Sequence, residues 1–334
     1  MDVKKQFAFK KTGITHSTEY EWYKSSKIIY DVGTILLLVL PIFAGNYMLH
    51  IFILSLLFAI FALSWNLIVG YSGIVSFGHQ AFFGIGAYVS ALLSMHFGLS
   101  PWLGVIAGGL MAAIAGGIIS LPVLRLKAAP YIAILTLGFA EIVRLVISNL
   151  TEVTRGEMGL SGIPAFSSIG PVNFSLAHRI NIYFLLLMIL LLIIFVMTRL
   201  INGPRGLALK SIRESQDAAE SLGVNLTKNK LYVFTISAFI AGMSGAIYAH
   251  YVQVLTPSSV IGIDIMLQIL VITIIGGLGT IAGPVVGSFI VVTGLEYLRF
   301  LGDFRLIVYG LVLILFIMFM PEGIVRKLFP KSNV

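Results

Sequence analysis

The ionisable residues of this chain are few and poorly placed for catalysis. Its 334 residues carry 14 Asp and Glu, 6 His and no Cys, which excludes a disulfide, a thiolate metal site and a cysteine nucleophile. No His, Asp or Glu cluster has metal-ligand spacing, no G-x-x-x-x-G-K-[ST] loop is present to cradle phosphate, and no nucleophile stands beside a base. Within apolar runs, Glu141 and Arg144 lie three apart on one helical face, and Glu296 and Arg299 repeat the spacing. Each pair is expected to neutralise itself near the outer interface. His79 and His250 could hydrogen-bond a polar solute or sit satisfied in the packing. Binding and conformational change are the chemistry open to such a chain. It is not expected to be an enzyme, to hydrolyse ATP, or to need a cofactor or metal.

Two stretches break the apolar pattern. The first, Arg213 to Asn225, reads R-E-S-Q-D-A-A-E-S-L-G-V-N. Ser211 to Leu222 predicts a short amphipathic helix, with Ile212, Ala218, Ala219 and Leu222 near one face and Arg213, Glu214, Asp217 and Glu220 around it. Gly223 is placed to stop it in a left-handed conformation, and Asn225 or Thr227 can cap the helix that follows. A solvated loop between spans is the alternative reading. The second stretch is Gly70 to Tyr88, G-Y-S-G-I-V-S-F-G-H-Q-A-F-F-G-I-G-A-Y. Gly70, Gly73 and Gly78 with Ser72 and Ser76 interrupt the helical pattern, and His79 follows. Non-helical backbone at membrane depth survives only when buried in protein or lining a watery cavity, so these six residues are candidates for a translocation path. A tight turn between two spans is the other possibility.

The elements that must hold these stretches are membrane spans. At 58% hydrophobic, 11% charged and a mean hydropathy of +1.00, the chain is polytopic, because a soluble domain needs more polar surface. Apolar runs near 28–45, 49–69, 81–97, 101–123, 129–149, 180–200, 231–251, 262–278, 284–300 and 304–320 predict about ten spans, within a range of 8–10. Residues 1–27 are polar and lysine-rich with no cleavable signal pattern, so the first span is expected to act as its own insertion signal. With the N-terminus inside, most of the 22 Lys and Arg fall on cytoplasmic loops and ends. That bias accounts for the +8 charge without a nucleic-acid partner. It implies a cytoplasmic tail at 1–27, a membrane domain at 28–320 with a cytoplasmic loop at 201–230, and a cytoplasmic tail at 321–334. Three series of small residues at four-residue spacing should let helices pack closely: Gly104, Gly108, Ala112 and Gly116; Ser237, Ala241, Gly245 and Ala249; Gly279, Gly283 and Gly287.

The polar cassette resembles a known element. D-A-A-x-x-x-G from Asp217 to Gly223 is similar to the E-A-A-x-x-x-G cytoplasmic loop of bacterial ABC-importer permeases, with Asp in place of the first Glu. In those proteins the loop sits in a cleft of the ATP-hydrolysing subunit. The stretch from Asn66 to Tyr88 resembles the N-L-x-x-G-Y-[ST]-G-x-x-S-x-G-H-x-A-F-F-G-x-G-A-Y signature of branched-chain amino acid ABC permeases of the LivM type, with Gln80 where Ala is usual. Further matches are G-L-S-G-I-P at 159–164, S-A-F-I-A-G-M-S-G-A-I-Y-A-H-Y at 237–251 and I-G-G-L-G-T-I-A-G-P-V-V-G at 275–287.

The resemblance implies an all-α membrane protein, a type II-like ABC importer permease whose helices 2–5 and 7–10 form related halves. It implies a cell-membrane complex, surrounded by lipid, with a homologous second permease, two ABC ATPase subunits and an extracytoplasmic solute-binding protein. Arg213, Glu214, Asp217, Ala218, Ala219 and Gly223 would then couple the permease to its ATPase. Branched-chain amino acids are the expected cargo, with urea or short amides as alternatives within the family. An ion-coupled secondary transporter would need ionisable residues at mid-membrane, whereas the acids here cluster near span ends. A membrane enzyme would need a convergent catalytic set, and none is visible.

Overall fold

A computed structural model describes residues 33–126, 128–302, 304–320 and 322–328. The tail at 1–27, Lys127, Pro321 and residues 329–334 lie outside the described residues. The chain divides after Ala44. The first unit contributes one described apolar helix, α1 (Gly33–Phe43).

The second unit is helical almost throughout. Its long helices are α2 (Asn46–Asn66), prolonged by a π-helical turn to Tyr71, α3 (His79–Phe97), α4 (Pro101–Arg125), α5 (Ala129–Asn149), α7 (Arg179–Ile201), α10 (Leu226–Val252) and α12 (Ile263–Gly276). Short helices α6 (Thr151–Thr154), α8 (Pro204–Glu214), α9 (Gln216–Ser221) and α11 (Pro257–Ile261) link them. The chain ends with α13 (Ala282–Tyr297), α14 (Phe304–Phe319) and α15 (Ile324–Leu328). Among the described residues, seven segments have the length and composition to cross a bilayer: Asn46–Tyr71, His79–Phe97, Pro101–Arg125, Ala129–Asn149, Leu176–Ile201, Leu226–Val252 and Pro257–Gly276. The protein is therefore a multi-pass membrane protein. α13 and α14 are apolar but have 16 residues each, about 24 Å of helix at ~1.5 Å per residue against a hydrocarbon core of about 30 Å.

Burial sorts the helices into a centre and a rim. Of the most apolar window of α2, 89% is buried, against 22% for α5. α3, α4 and α10 pack on one another through the small residues read from the sequence. A Cβ on Gly245 of α10 would fall 1.9 Å from the carbonyl oxygen of Phe83, and one on Gly86 would fall 2.0 Å from that of Gly242. On α4, a Cβ at Gly108 would lie 2.6 Å from the Gly86 carbonyl, and one at Gly116 2.5 Å from Ala238 Cβ. Backbones this close gain dispersion contacts that larger side chains would forbid. Gly283 and Gly287 do the same between α12 and α13, where a Cβ on Gly287 would lie 2.0 Å from the Ile272 carbonyl oxygen. Gly279 stands in the turn before α13 rather than on the helix.

At the far end of α10, Val254–Leu255 pairs antiparallel with Leu160–Ser161, fastening the G-L-S-G-I-P stretch to the bundle. His250 completes that fastening. Its Nδ1 lies 2.7 Å from the carbonyl oxygen of Pro164 and its Nε2 2.7 Å from Ser90 Oγ. A carbonyl only accepts, so the network assigns the proton to Nδ1 and makes Nε2 the acceptor for the serine hydroxyl. The two i,i+3 pairs form as expected: Arg144 Nε donates to Glu141 Oε2 at 3.0 Å, and Arg299 Nη1 to Glu296 Oε1 at 3.1 Å. Glu157 and Tyr47 join them, at 3.5 Å from Arg144 Nη1 and 2.8 Å from Glu296 Oε1 respectively.

The packing yields a paired prediction. Gly245→Val should prevent the α3–α10 approach, with a cost above the ~1–3 kcal/mol of ordinary overpacking because its Cβ meets backbone. Gly138→Val, on the open face of α5 with no atom within 4 Å, should leave stability within about 0.5 kcal/mol. Thermal unfolding of the detergent-solubilised protein measures both; equal melting temperatures would refute the packing argument.

Candidate functional site

The interruption between α2 and α3 is built from buried polar groups. Ser72 and Ser76 are each 1% exposed and His79 0%. The chain leaves α2 through the π-helical turn Leu67–Tyr71 and turns at Gly73, whose φ of +69° favours glycine. Its loose backbone groups are met individually. The Ser72 hydroxyl donates to the Ile68 carbonyl at 2.6 Å, Trp65 Nε1 donates to the Ser76 carbonyl at 2.8 Å, and the Phe77 amide donates to Thr136 Oγ1 at 3.0 Å. The Gly78 amide reaches Ser76 Oγ at 3.4 Å. Gly78 presses so closely on α5 that a Cβ would fall 2.2 Å from the Thr136 carbonyl oxygen.

His79 opens α3 beneath this segment. The single hydroxyl proton of Ser237 goes to the Ser64 carbonyl, so Ser237 Oγ accepts from His79 Nε2 at 2.9 Å. The Nδ1 of His79 is then a bare acceptor, buried and without a partner, as is Oε1 of the neighbouring Gln80. The ring lies among Phe61 and Phe82, with centroids at 6.1 and 5.3 Å.

Asn66, one turn before Gly70, does the main joining. Its Nδ2 donates to the Thr280 carbonyl and its Oδ1 accepts from the Gly279 amide, both at 2.8 Å. The two bonds admit one orientation of the amide. They lock the end of α2 to the turn between α12 and α13, so closely that a Cβ on Gly70 would lie 2.7 Å from the Gly279 nitrogen.

The polar cassette departs from the single helix read from the sequence. Ser215 is extended, with φ −161° and ψ 118°, and its hydroxyl oxygen caps α9 by accepting from the Ala218 amide at 3.3 Å. Serine competes for backbone donors in this way, so the run splits into α8 and α9. The split turns Ile212 and Ala219 inward as buried residues while Ala218 is exposed and Leu222 is 83% exposed. Asp217, Glu214 and Glu220 are exposed as well. Gly223 does stop the helix. Its φ is +85°, its amide donates to Glu220, and the Val224 amide donates to Ala219, the paired pattern of a Schellman cap. Asn225 is the residue that caps α10, its Oδ1 accepting from the Lys228 amide at 2.9 Å.

Side-chain contacts join the cassette to the bundle. Lys230, 1% exposed, donates Nζ to Gln216 Oε1 at 2.9 Å. The guanidinium of Arg205 lies 4.0 Å from the Tyr232 ring centroid, a cation–π distance. Arg213 Nη1 donates to the Gly70 carbonyl. The sequence-derived path and coupling residues thus meet at Arg213 and Gly70. Asn66, Lys230, Trp65 and Thr136 were missed as structural partners. An Asn inside an apolar run was itself a signal, since such a group is costly unless paired.

Asn66→Leu should strand the Gly279 amide and the Thr280 carbonyl, at ~1–3 kcal/mol for each buried group left unsatisfied. Asn66→Asp keeps the acceptor and sets a carboxylate against the Thr280 carbonyl, so it too should destabilise. Both variants should melt lower than the parent in a thermal unfolding assay, and an unshifted Asn66→Leu would remove Asn66 from this role.

Comparison with known proteins places this geometry in a family. The family described as branched-chain amino acid transport system / permease component matches residues 47–318. The high-affinity branched-chain amino acid transport system permease protein LivM of Escherichia coli K12 is 33% identical over 301 residues, covering 84% of this chain and 70% of that protein. The LivH permease protein of the same strain is 24% identical, over 81% of this chain and 91% of its own length. A probable LivH of Methanocaldococcus jannaschii is 27% identical, over 72% and 76%. No solved structure matches the chain. By the extent of the family match and the identity to LivM, the chain belongs to the permease-component family of branched-chain amino acid transport systems.

Proposed function

We propose that this chain is one permease subunit of an ATP-driven importer and forms part of the membrane path for branched-chain amino acids. The observation that carries the reading is the family match over residues 47–318, joined to a capped polar cassette whose Arg213 bonds directly to the interrupted end of α2. A homologous permease completes the membrane domain, two ABC ATPases bind the cytoplasmic side, and an extracytoplasmic binding protein delivers the solute. Exposed Leu222 at 83%, with Ala218, Asp217 and Glu220 around it, gives α9 an apolar tip with an acidic rim suited to a cleft in the ATPase. About ten apolar helices, within a range of 8–10, cross the membrane with both termini in the cytoplasm, a reading that the Lys and Arg distribution supports.

The path itself runs beside the α2–α3 interruption. Gly70, Ser72, Gly73, Ser76, Gly78 and His79 shape it mainly through backbone, since the serine hydroxyls are engaged locally. Paired acids support ATP rather than an ion gradient as the energy source: Glu141 and Glu296, inside apolar helices, each hold an arginine. Uptake by the reconstituted complex tests the cargo, with leucine, isoleucine and valine expected to be imported and urea and short amides refused; the reverse selectivity would overturn it.

Two further outcomes follow. Because the chain lacks cysteine, Ser211→Cys should react with a membrane-impermeant thiol reagent only in opened cells and Ser167→Cys in intact ones. Labelling at position 211 in intact cells would invert the topology. At the cassette, no atom lies within 4 Å of a Cβ on Gly223, so Gly223→Val acts through the backbone alone, at ~1–2 kcal/mol for a left-handed residue. It should weaken ATPase co-purification while Gly223→Asn retains it, and full retention by the valine variant would exclude the cassette as the docking element.

A further inference from the structure

We propose that Arg213 is the positioning residue that carries movement of the α8–α9 cassette to the interrupted end of α2. The proposal rests on the coupling role given above to that cassette and names the atom through which the coupling acts. The π-helical turn leaves carbonyls at the end of α2 without regular partners. The amides of Gly73 and Ile74 go to Val69 and Ile68, and the Gly70 carbonyl receives the Arg213 guanidinium from 143 residues away. A cation at that point also meets the negative end of the α2 dipole.

The fit around Arg213 is close on two sides. A Cβ on Gly73 would lie 3.0 Å from Arg213 Cγ and 3.3 Å from its Cα, so the turn rests on the arginine's stem and backbone. On the other side, a Cβ on Gly279 would lie 3.1 Å from Arg213 Nη1 and 3.1 Å from the Gly70 oxygen. The guanidinium therefore sits at a junction of three elements: the end of α2, the α12–α13 turn and the cassette. Asn66 has already made the first two a single body. Arg213 adds the third, and it does so with a charge-assisted bond, the stronger class of hydrogen bond.

Alongside runs a cleft of about 220 Å³ lined by Tyr71, Lys210, Glu214, Thr280 and Arg326. Buried Leu209 and Ile212 seat α8 on the bundle, and Arg213 supplies its side-chain hydrogen bond to the end of α2. Removing the arginine should therefore loosen the coupling of α2 to movement of the cassette. Lysine carries the charge but a single ammonium in place of the planar fork, so it should restore part of the function.

The test uses the complete complex in proteoliposomes, with ATP hydrolysis and uptake of labelled leucine measured together. Arg213→Gln should co-purify with the ATPase subunits and lower leucine imported per ATP hydrolysed by about tenfold or more, in line with losing one charge-assisted bond, and Arg213→Lys should recover part of that ratio. A merely structural loss would lower uptake and hydrolysis in proportion and leave the ratio unchanged, which would overturn the proposal. Loss of ATPase co-purification would overturn it too, by making Arg213 a docking residue. A parent complex without ATP-driven leucine uptake would instead refute the function on which the proposal rests.

Discussion

A backbone that stops being helical inside an apolar bundle leaves amides and carbonyls that water cannot reach, and the architecture here is arranged around meeting them. The segment from Leu67 to Gly78 is where this constraint acts. Each loose group costs several kcal/mol in hydrocarbon if left unpaired, on the order of a domain's whole net stability when summed. The solutions come from three helices and from the segment itself: Trp65 from α2, Thr136 from α5, Arg213 from α8, and Ser72 and Ser76 from within the segment. An irregular turn held from several directions cannot shift without those helices shifting too. The cost of satisfying it thus becomes a mechanical link.

Close packing supplies the frame that keeps these partners in range. Hydrogen bonds tolerate a few tenths of an ångström, and α5 can offer Thr136 to Phe77 only because Gly78 lets the two backbones meet. The same logic holds at Asn66, where Gly70 and Gly279 clear the space that its amide spans. Small residues therefore do two jobs. On α3, α4 and α10 they bring helices together for dispersion contacts. At the junction they remove side chains so that polar groups on separate elements can touch.

Much of this was legible in the sequence, for identifiable reasons. The small-residue series on α4 and α10, the i,i+3 ion pairs and the Gly223 stop are local patterns, and each appears where it was read. The break at Ser215 was missed because an amphipathic pattern runs through it, and a serine that caps looks like a serine on a polar face. Leu222, placed by periodicity on one face with Ile212 and Ala219, is exposed while those two are buried. The partnership of Asn66 with Gly279 and Thr280 spans more than 200 positions, and no spacing rule reaches that far. Arg213 was read among the residues that couple the permease to its ATPase, and the bond of its guanidinium to Gly70 was not foreseen. Direction of a long side chain is decided by the element packed against it, which sequence pattern does not contain.

The distribution of charge explains why such a link is needed at all. A transporter driven by an ion gradient can place its energy input in the membrane, on carboxylates that bind and release the ion. Here Glu141 and Glu296, within apolar helices, are tied to arginines three residues away, and His79 and His250 are engaged with Ser237, Ser90 and Pro164. The acids of the cassette, Glu214, Asp217 and Glu220, are exposed. In the importer proposed above, energy delivered at the cassette would have to reach the path through covalent chain and packed contacts. Ser215 caps α9 directly after α8 ends, so α9 and α8 are continuous through that cap. From α8, Arg213 grips the end of α2 through the Gly70 carbonyl, and this is the direct side-chain contact between the cassette and that end.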